Sequence, residues 1–84
     1  MHDSFLMQNI SKGINEVCRK NNLKKVTLID ISVGFSSHIT EKNLLEHLVD
    51  LNSEVVDENT QVKVNYEDMP ELMAVIKKVE GEKI

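Results

Sequence analysis

The stretch KVTLIDISVG, Lys25 to Gly34, decides the fold. Ile29, Ile31 and Val33 occupy alternate positions, and Leu28, Asp30 and Ser32 fill the positions between them. A repeat of two places alternate side chains on opposite faces of a strand. β-branched residues suit such a half-buried, pleated surface. The stretch is therefore expected to be a strand whose buried face carries Ile29, Ile31 and Val33. Gly34 closes it, where a sharp turn of the chain is expected.

Upstream, the period changes. Leu6, Ile10, Ile14 and Val17 recur at helical spacing, with polar residues such as Gln8, Asn9 and Lys12 on the other side. Asp3 or Ser4 can cap this helix and Asn21 with Asn22 can end it, giving an expected helix over residues 4–21. Downstream, residues 35–39 read as a short loop. Thr40 is placed as the N-cap of a second helix, Ile39 and Leu44 as a hydrophobic staple, and Glu41 as an acid in the first turn. Leu44, Leu45 and Leu48 form the expected buried stripe, with Leu51 near its end. Residues 52–60 read as a loop anchored by Val55 and Val56. Residues 61–67 alternate again, with Val62, Val64 and Tyr66 expected inward, and Asp68-Met69-Pro70 signals a turn.

The last segment, residues 71–80, is ambiguous from periodicity. Leu72, Val75, Ile76 and Val79 fit one face of a helix, and Pro70 suits a first helical position. The β-branched Val75 and Ile76 also fit a strand, which would hairpin onto residues 61–67. Propensity leans slightly to helix.

Composition bounds the function. The 84 residues make one small domain with 40% apolar residues, no Trp, and Phe5, Phe35 and Tyr66 as the aromatics, so the core is expected to be aliphatic. The net charge is −4, and the basic cluster Arg19, Lys20, Lys24 and Lys25 sits at a helix end, where cations suit the dipole. No nucleic-acid footprint follows from it. Cys18 stands alone, so neither an internal disulfide nor a Cys-rich zinc site is expected, and it reads as a small core residue. No apolar run reaches the length of a membrane span and no secretory signal opens the chain, so a cytoplasmic protein is expected. No nucleophile–base pair, phosphate loop or paired-acid pattern is present, so the chain is not expected to be an enzyme.

Several stretches taken together resemble the HypA-type nickel-incorporation proteins. The opening Met1-His2-Asp3 before an amphipathic helix is similar to the family's Met-His-Glu opening. NNLKKVTLIDISVGFSS (21–37) resembles the family's run of basic residues, Val-Thr pair, strand and Gly. TEKNLLEHLVDL (40–51) stands in the place of its second helix, and TQVKVNYEDMP (60–70) in that of its second strand. There the family inserts two Cys-x-x-Cys pairs, which this chain lacks; ELMAVIKKVEGE (71–82) then resembles the terminal family strand. The resemblance covers nearly the full chain and implies one HypA-like nickel-binding domain, residues 1–84, without structural zinc. It also selects a strand for the last segment. The expected fold is thus α/β of the α+β kind, α-β-α-β-β, with two helices on one face of a three-stranded mixed sheet.

The resemblance also implies a site and a function. Family members bind nickel at the extreme N-terminus, which here is His2. Nickel(II) favours nitrogen-rich tetragonal coordination. The Met1 amine, the His2 imidazole and the backbone nitrogens of His2 and Asp3 are the matching donors. Asp3 replaces the family's Glu, keeping its charge with one methylene less. If the two helices run parallel, the 35–39 loop approaches the N-terminus and His38 becomes a further ligand, with Glu41 the nearest acid. In the plainer alternative, His2 is a terminal residue, Asp3 a helix cap and His38 an ordinary loop residue. His47 reads as a solvated helix residue, and Met7 and Met73 as core filler. The function expected from the resemblance is a non-catalytic metallochaperone for hydrogenase or urease maturation, with nickel-enzyme maturation proteins as partners. A metal-free interaction module on the same fold is the alternative. Free sheet edges would also let two copies pair as a homodimer.

Overall fold

The computed structural model describes residues 2–70 and 72–84, with residues 2–4 described by their backbone alone. Five elements follow in order: α1 (His2–Lys20), β1 (Leu23–Gly34), α2 (Glu41–Leu51), β2 (Gln61–Glu67) and β3 (Ala74–Lys83). The strands form one mixed sheet in the order β2-β1-β3, with β2 parallel and β3 antiparallel to β1. This is the α-β-α-β-β arrangement expected from the sequence.

β1 is central because it is the apolar strand. Ile29, Ile31 and Val33 have no exposed surface. They are flanked by Val62, Val64 and Tyr66 on one side and by Val79, Ile76 and Ala74 on the other. Leu6, Met7, Ile10, Ile14 and Cys18 of α1, with Leu44 and Leu48 of α2, complete the same core. Burying each Leu or Ile side chain contributes roughly 1.5–3 kcal/mol. The core is aliphatic as expected: Phe5 and Phe35 both lie exposed.

The helix ends follow local chemistry. Asn22 adopts a left-handed φ of 54° just past α1, a conformation that Asn accepts better than most residues. Thr40 is the N-cap of α2: its hydroxyl accepts from the Asn43 N–H at 3.2 Å, and the Asn43 side chain accepts from the Thr40 N–H at 2.8 Å. Ile39 and Leu44, the staple pair, are fully buried. Val56 is buried, and the Val55 carbonyl accepts from the Val26 N–H at 2.7 Å, so both residues hold the 52–60 loop as expected.

Several expectations need correction. α1 begins at His2, so Asp3 and Ser4 lie in its first turn and not at its cap; an acid there suits the helix dipole. Val17 is only half-buried, whereas Cys18 lies in the core as expected. Leu51 and Met73 are about half exposed, so Met73 is no core filler, and Tyr66 reaches only the rim, where its hydroxyl donates to the Ile39 carbonyl at 2.6 Å. β1 starts at Leu23, with irregularities opposite β3 near Lys24 and Thr27. An extra residue shifts the alternation, which is why Val26 and Ile29, three apart, are both fully buried.

β3 is a strand, but it does not form a hairpin with β2. The connection crosses the end of the sheet and β3 pairs with the other side of β1. Gly34 makes this crossing possible. Its φ is not in the left-handed region, so no turn requires it. A Cβ there would instead lie 2.6 Å from the Met69 carbonyl oxygen and 3.1 Å from that of Pro70. The glycine is needed for close passage of the connection.

The face of the sheet away from the helices is polar and cross-linked. The Ser32 hydroxyl donates to Glu67 Oε2 at 2.5 Å, and Lys77 Nζ lies 2.8 Å from the same oxygen. Asn65 donates to Asp30 Oδ1 at 2.6 Å and to the Ile31 carbonyl at 3.1 Å. Ser32 is fully buried beneath this layer, although it lies on the expected outward face. Hydrogen bonds from Lys77 and then Ser32 hold the Glu67 carboxyl below the usual carboxylate value. A lowered folded-state pKa stabilises the fold above the unfolded-state value and ceases to do so as pH falls through the folded one. Wild-type stability is therefore expected to drop on the acid side of the ordinary Glu range, and Glu67→Gln to flatten that drop. Urea unfolding of both proteins across the acid range tests this; parallel pH profiles would refute it.

Candidate metal centre

The fold brings the two helix N-termini to one end. Only a short turn separates α1 from β1, so α1 runs antiparallel to the strand. α2 returns from the end of β1 to the start of the parallel β2, so it too is antiparallel to β1. The helices are therefore parallel to each other. Their relative height is set by Asn52 at the C-cap of α2, which bonds to Ser11 in the middle of α1. At 1.5 Å per residue, His2 lies about 14 Å back from Ser11 and Glu41 about 17 Å back from Asn52. Chain position 2 is thus level with the first turn of α2, just past the loop that holds His38.

Met1 lies outside the described residues, as do the side chains of His2 and Asp3. Their contacts with His38 therefore lie outside them as well. The backbone of His2 and Asp3 forms the start of α1, where the N–H groups have no intrahelical acceptor. Such amides are the ones open to deprotonation and metal ligation. The positive end of the helix dipole disfavours a cation by roughly 0.3–1 kcal/mol. Anionic amide donors and the Asp3 charge would have to offset that cost.

His38 is exposed. Its loop is held by the Asn43 side chain, which donates to the His38 carbonyl at 2.9 Å, and by Tyr66 on the Ile39 carbonyl. The backbone under the imidazole is thus fixed while the ring is open to solvent. Among the described residues, the neighbouring buried Ser37 hydroxyl has no hydrogen-bond partner.

Glu41 is turned to another task. Its Oε2 accepts from the Val64 N–H at 3.1 Å, capping the outer edge of β2. His47 is exposed, with Nδ1 3.0 Å from the Asn43 carbonyl. A carbonyl only accepts, so Nδ1 carries the proton there. Burial raises the Cys18 pKa, which keeps the thiol protonated and poorly suited to metal binding. Among the described residues no three His, Cys, Asp or Glu side chains converge, and no helix is long and apolar enough to cross a membrane.

The residue that sequence reasoning missed is Asn52. It opens the expected loop of residues 52–60, yet it is buried and ties the helices together. A polar residue followed by Ser at a helix end carries no sign of burial; only the partner helix reveals it. Comparison with known proteins finds no matching family model, no matching curated protein and no matching solved structure.

Proposed function

We propose that this chain is a non-catalytic, nickel-binding accessory protein of the HypA type, which carries Ni(II) to a maturation partner of a nickel enzyme. The observation that carries the reading is the shared end of the fold. The start of α1 at His2 lies level with the first turn of α2, which follows the loop bearing an exposed imidazole on a fixed backbone. The Met1 amine, the His2 imidazole and deprotonated amides of His2 and Asp3 supply the nitrogen donors that Ni(II) favours, and Asp3 adds negative charge. His38 offers a further imidazole. The amine, with an ordinary pKa of about 7.7–8.0, and the amides must lose protons to ligate, so binding strengthens as pH rises.

Calorimetric titration of Ni(II) into protein with its native, untagged N-terminus tests the proposal. Loss of groups that only support a metal ligand typically weakens binding about 10–100-fold. Losing the principal ligand in His2→Ala is expected to weaken it by at least about a hundredfold. His38→Ala reports whether the second imidazole contributes. Equal affinity of the native protein and His2→Ala eliminates the site. No binding by either leaves the metal-free interaction module.

A further inference from the structure

We infer that the free edge of β3 is a self-association surface, on which a second copy of this chain pairs antiparallel about a two-fold axis at Val79. A three-stranded sheet has two edges, and unpaired N–H and C=O groups on an edge are a template for another strand. The two edges here are treated differently. β2 is capped by the Glu41 carboxylate on the Val64 N–H. Among the described residues, the one side-chain bond to the β3 backbone comes from Thr27 on the neighbouring β1, to the Glu80 carbonyl. Among the described residues, the ten-residue edge of β3 carries no such cap.

The charge pattern of β3 identifies the occupant. Between the apolar Ala74-Val75-Ile76 and the terminal Lys83, it reads Lys77-Lys78-Val79-Glu80-Gly81-Glu82, basic before Val79 and acidic after it. Reversed on an antiparallel neighbour, this order complements itself. With Val79 opposite Val79 of the second copy, Lys78 faces the copy's Glu80, and Glu80 faces the copy's Lys78. Within one chain Lys78 Nζ already lies 2.8 Å from Glu80 Oε2. The dimer would turn that pair into a ring of four alternating charges on the open face of the sheet. A parallel neighbour in register would instead set like charges opposite each other. The irregularity at Lys77 bends the strand next to this triplet, so the regular contact is short. The expected dimer is therefore weak and salt-sensitive.

Sedimentation velocity on the native chain, up to millimolar concentration and at low and high salt, tests the inference. A concentration-dependent dimer that dissociates in salt is expected. Lys78→Glu or Glu80→Lys alone sets like charges opposite each other at two symmetry-related places and should weaken association by about tenfold to a hundredfold. The double variant Lys78→Glu/Glu80→Lys restores the complement and should restore the dimer. Circular dichroism of each variant confirms that it is folded. A native chain that stays monomeric, single reversals without effect, or a folded double variant that fails to recover association would each overturn the inference.

Discussion

Gly81→Ala is expected to destabilise the fold by about 3 kcal/mol, the upper part of the usual range for overpacking. Gly81 lies opposite Val26, beside the irregularity at Thr27 in β1. A Cβ there would overlap the Lys25 carbonyl oxygen and lie 3.0 Å from the Lys25 carbonyl carbon and 3.1 Å from the Val26 Cα. All three are backbone atoms of the central strand, so none can swing aside as a side chain does. Relief requires β3 to move off β1, which breaks ladder hydrogen bonds along the longer of the two strand pairings. A domain of this length has roughly 4–13 kcal/mol of stability at about 0.05–0.15 kcal/mol per residue, so the loss is a large share. Urea unfolding should show a much lower midpoint with an unchanged slope. Gly13→Ala is the control: its Cβ would meet Ile76 Cδ1, the tip of a flexible side chain, at 2.7 Å. That variant should be far milder. Equal midpoints for the two would show that the backbone approach at Gly81 is not what limits the site.

Asn52→Ala is expected to destabilise by about 2–4 kcal/mol, from buried groups left without partners. The Asn52 side chain accepts from the Ser11 hydroxyl at 2.6 Å, and donates to the Ser11 carbonyl at 3.1 Å and to Asn15 Oδ1 at 2.8 Å. Both Asn52 and Ser11 are buried. Truncating Asn52 leaves the Ser11 hydroxyl without a partner inside the protein. Removing both partners at once should cost less than the two single losses added together, because no buried group is then left unpaired. A double-mutant cycle of Asn52→Ala and Ser11→Ala, read by urea unfolding, measures that difference. Strict additivity would mean that the helices are held apart from this bond. The same tie sets the height of α1 against α2. A weakened Asn52 variant that still folds should therefore also blur any contribution of His38 to metal binding.

Much of this architecture was legible in the chain. The alternation of Ile29, Ile31 and Val33 fixed the central strand, since a period of two with β-branched residues admits few other readings. Thr40, Ile39 and Leu44 located the start of α2, because capping is decided within a few neighbouring residues. The last element was not legible from its own pattern: Leu72, Val75, Ile76 and Val79 match helical spacing, yet Leu72 precedes β3 and the other three do not share a face of it. Ile76 and Val79 are half-buried and Leu72 and Val75 exposed. The irregularity at Lys77 supplies the extra residue that makes strand spacing look helical. Of the candidate site, the sequence offered residue types and their order, while its geometry depended on helix direction and height.

The sequence by itself determined the first four elements and the buried faces of β1 and α2, because periodicity, propensity and capping act over a few residues; the pattern of residues 71–80 left helix and strand open. Only the tertiary structure decided that β3 crosses to the far side of β1, that Gly34 and Gly81 lie against backbone, that Asn52 is buried and that Glu41 seals an edge. Each of these depends on which distant segment arrives as a neighbour. That choice is made by the summed burial of the apolar central strand between two flanking strands and two helices, a quantity no local window contains.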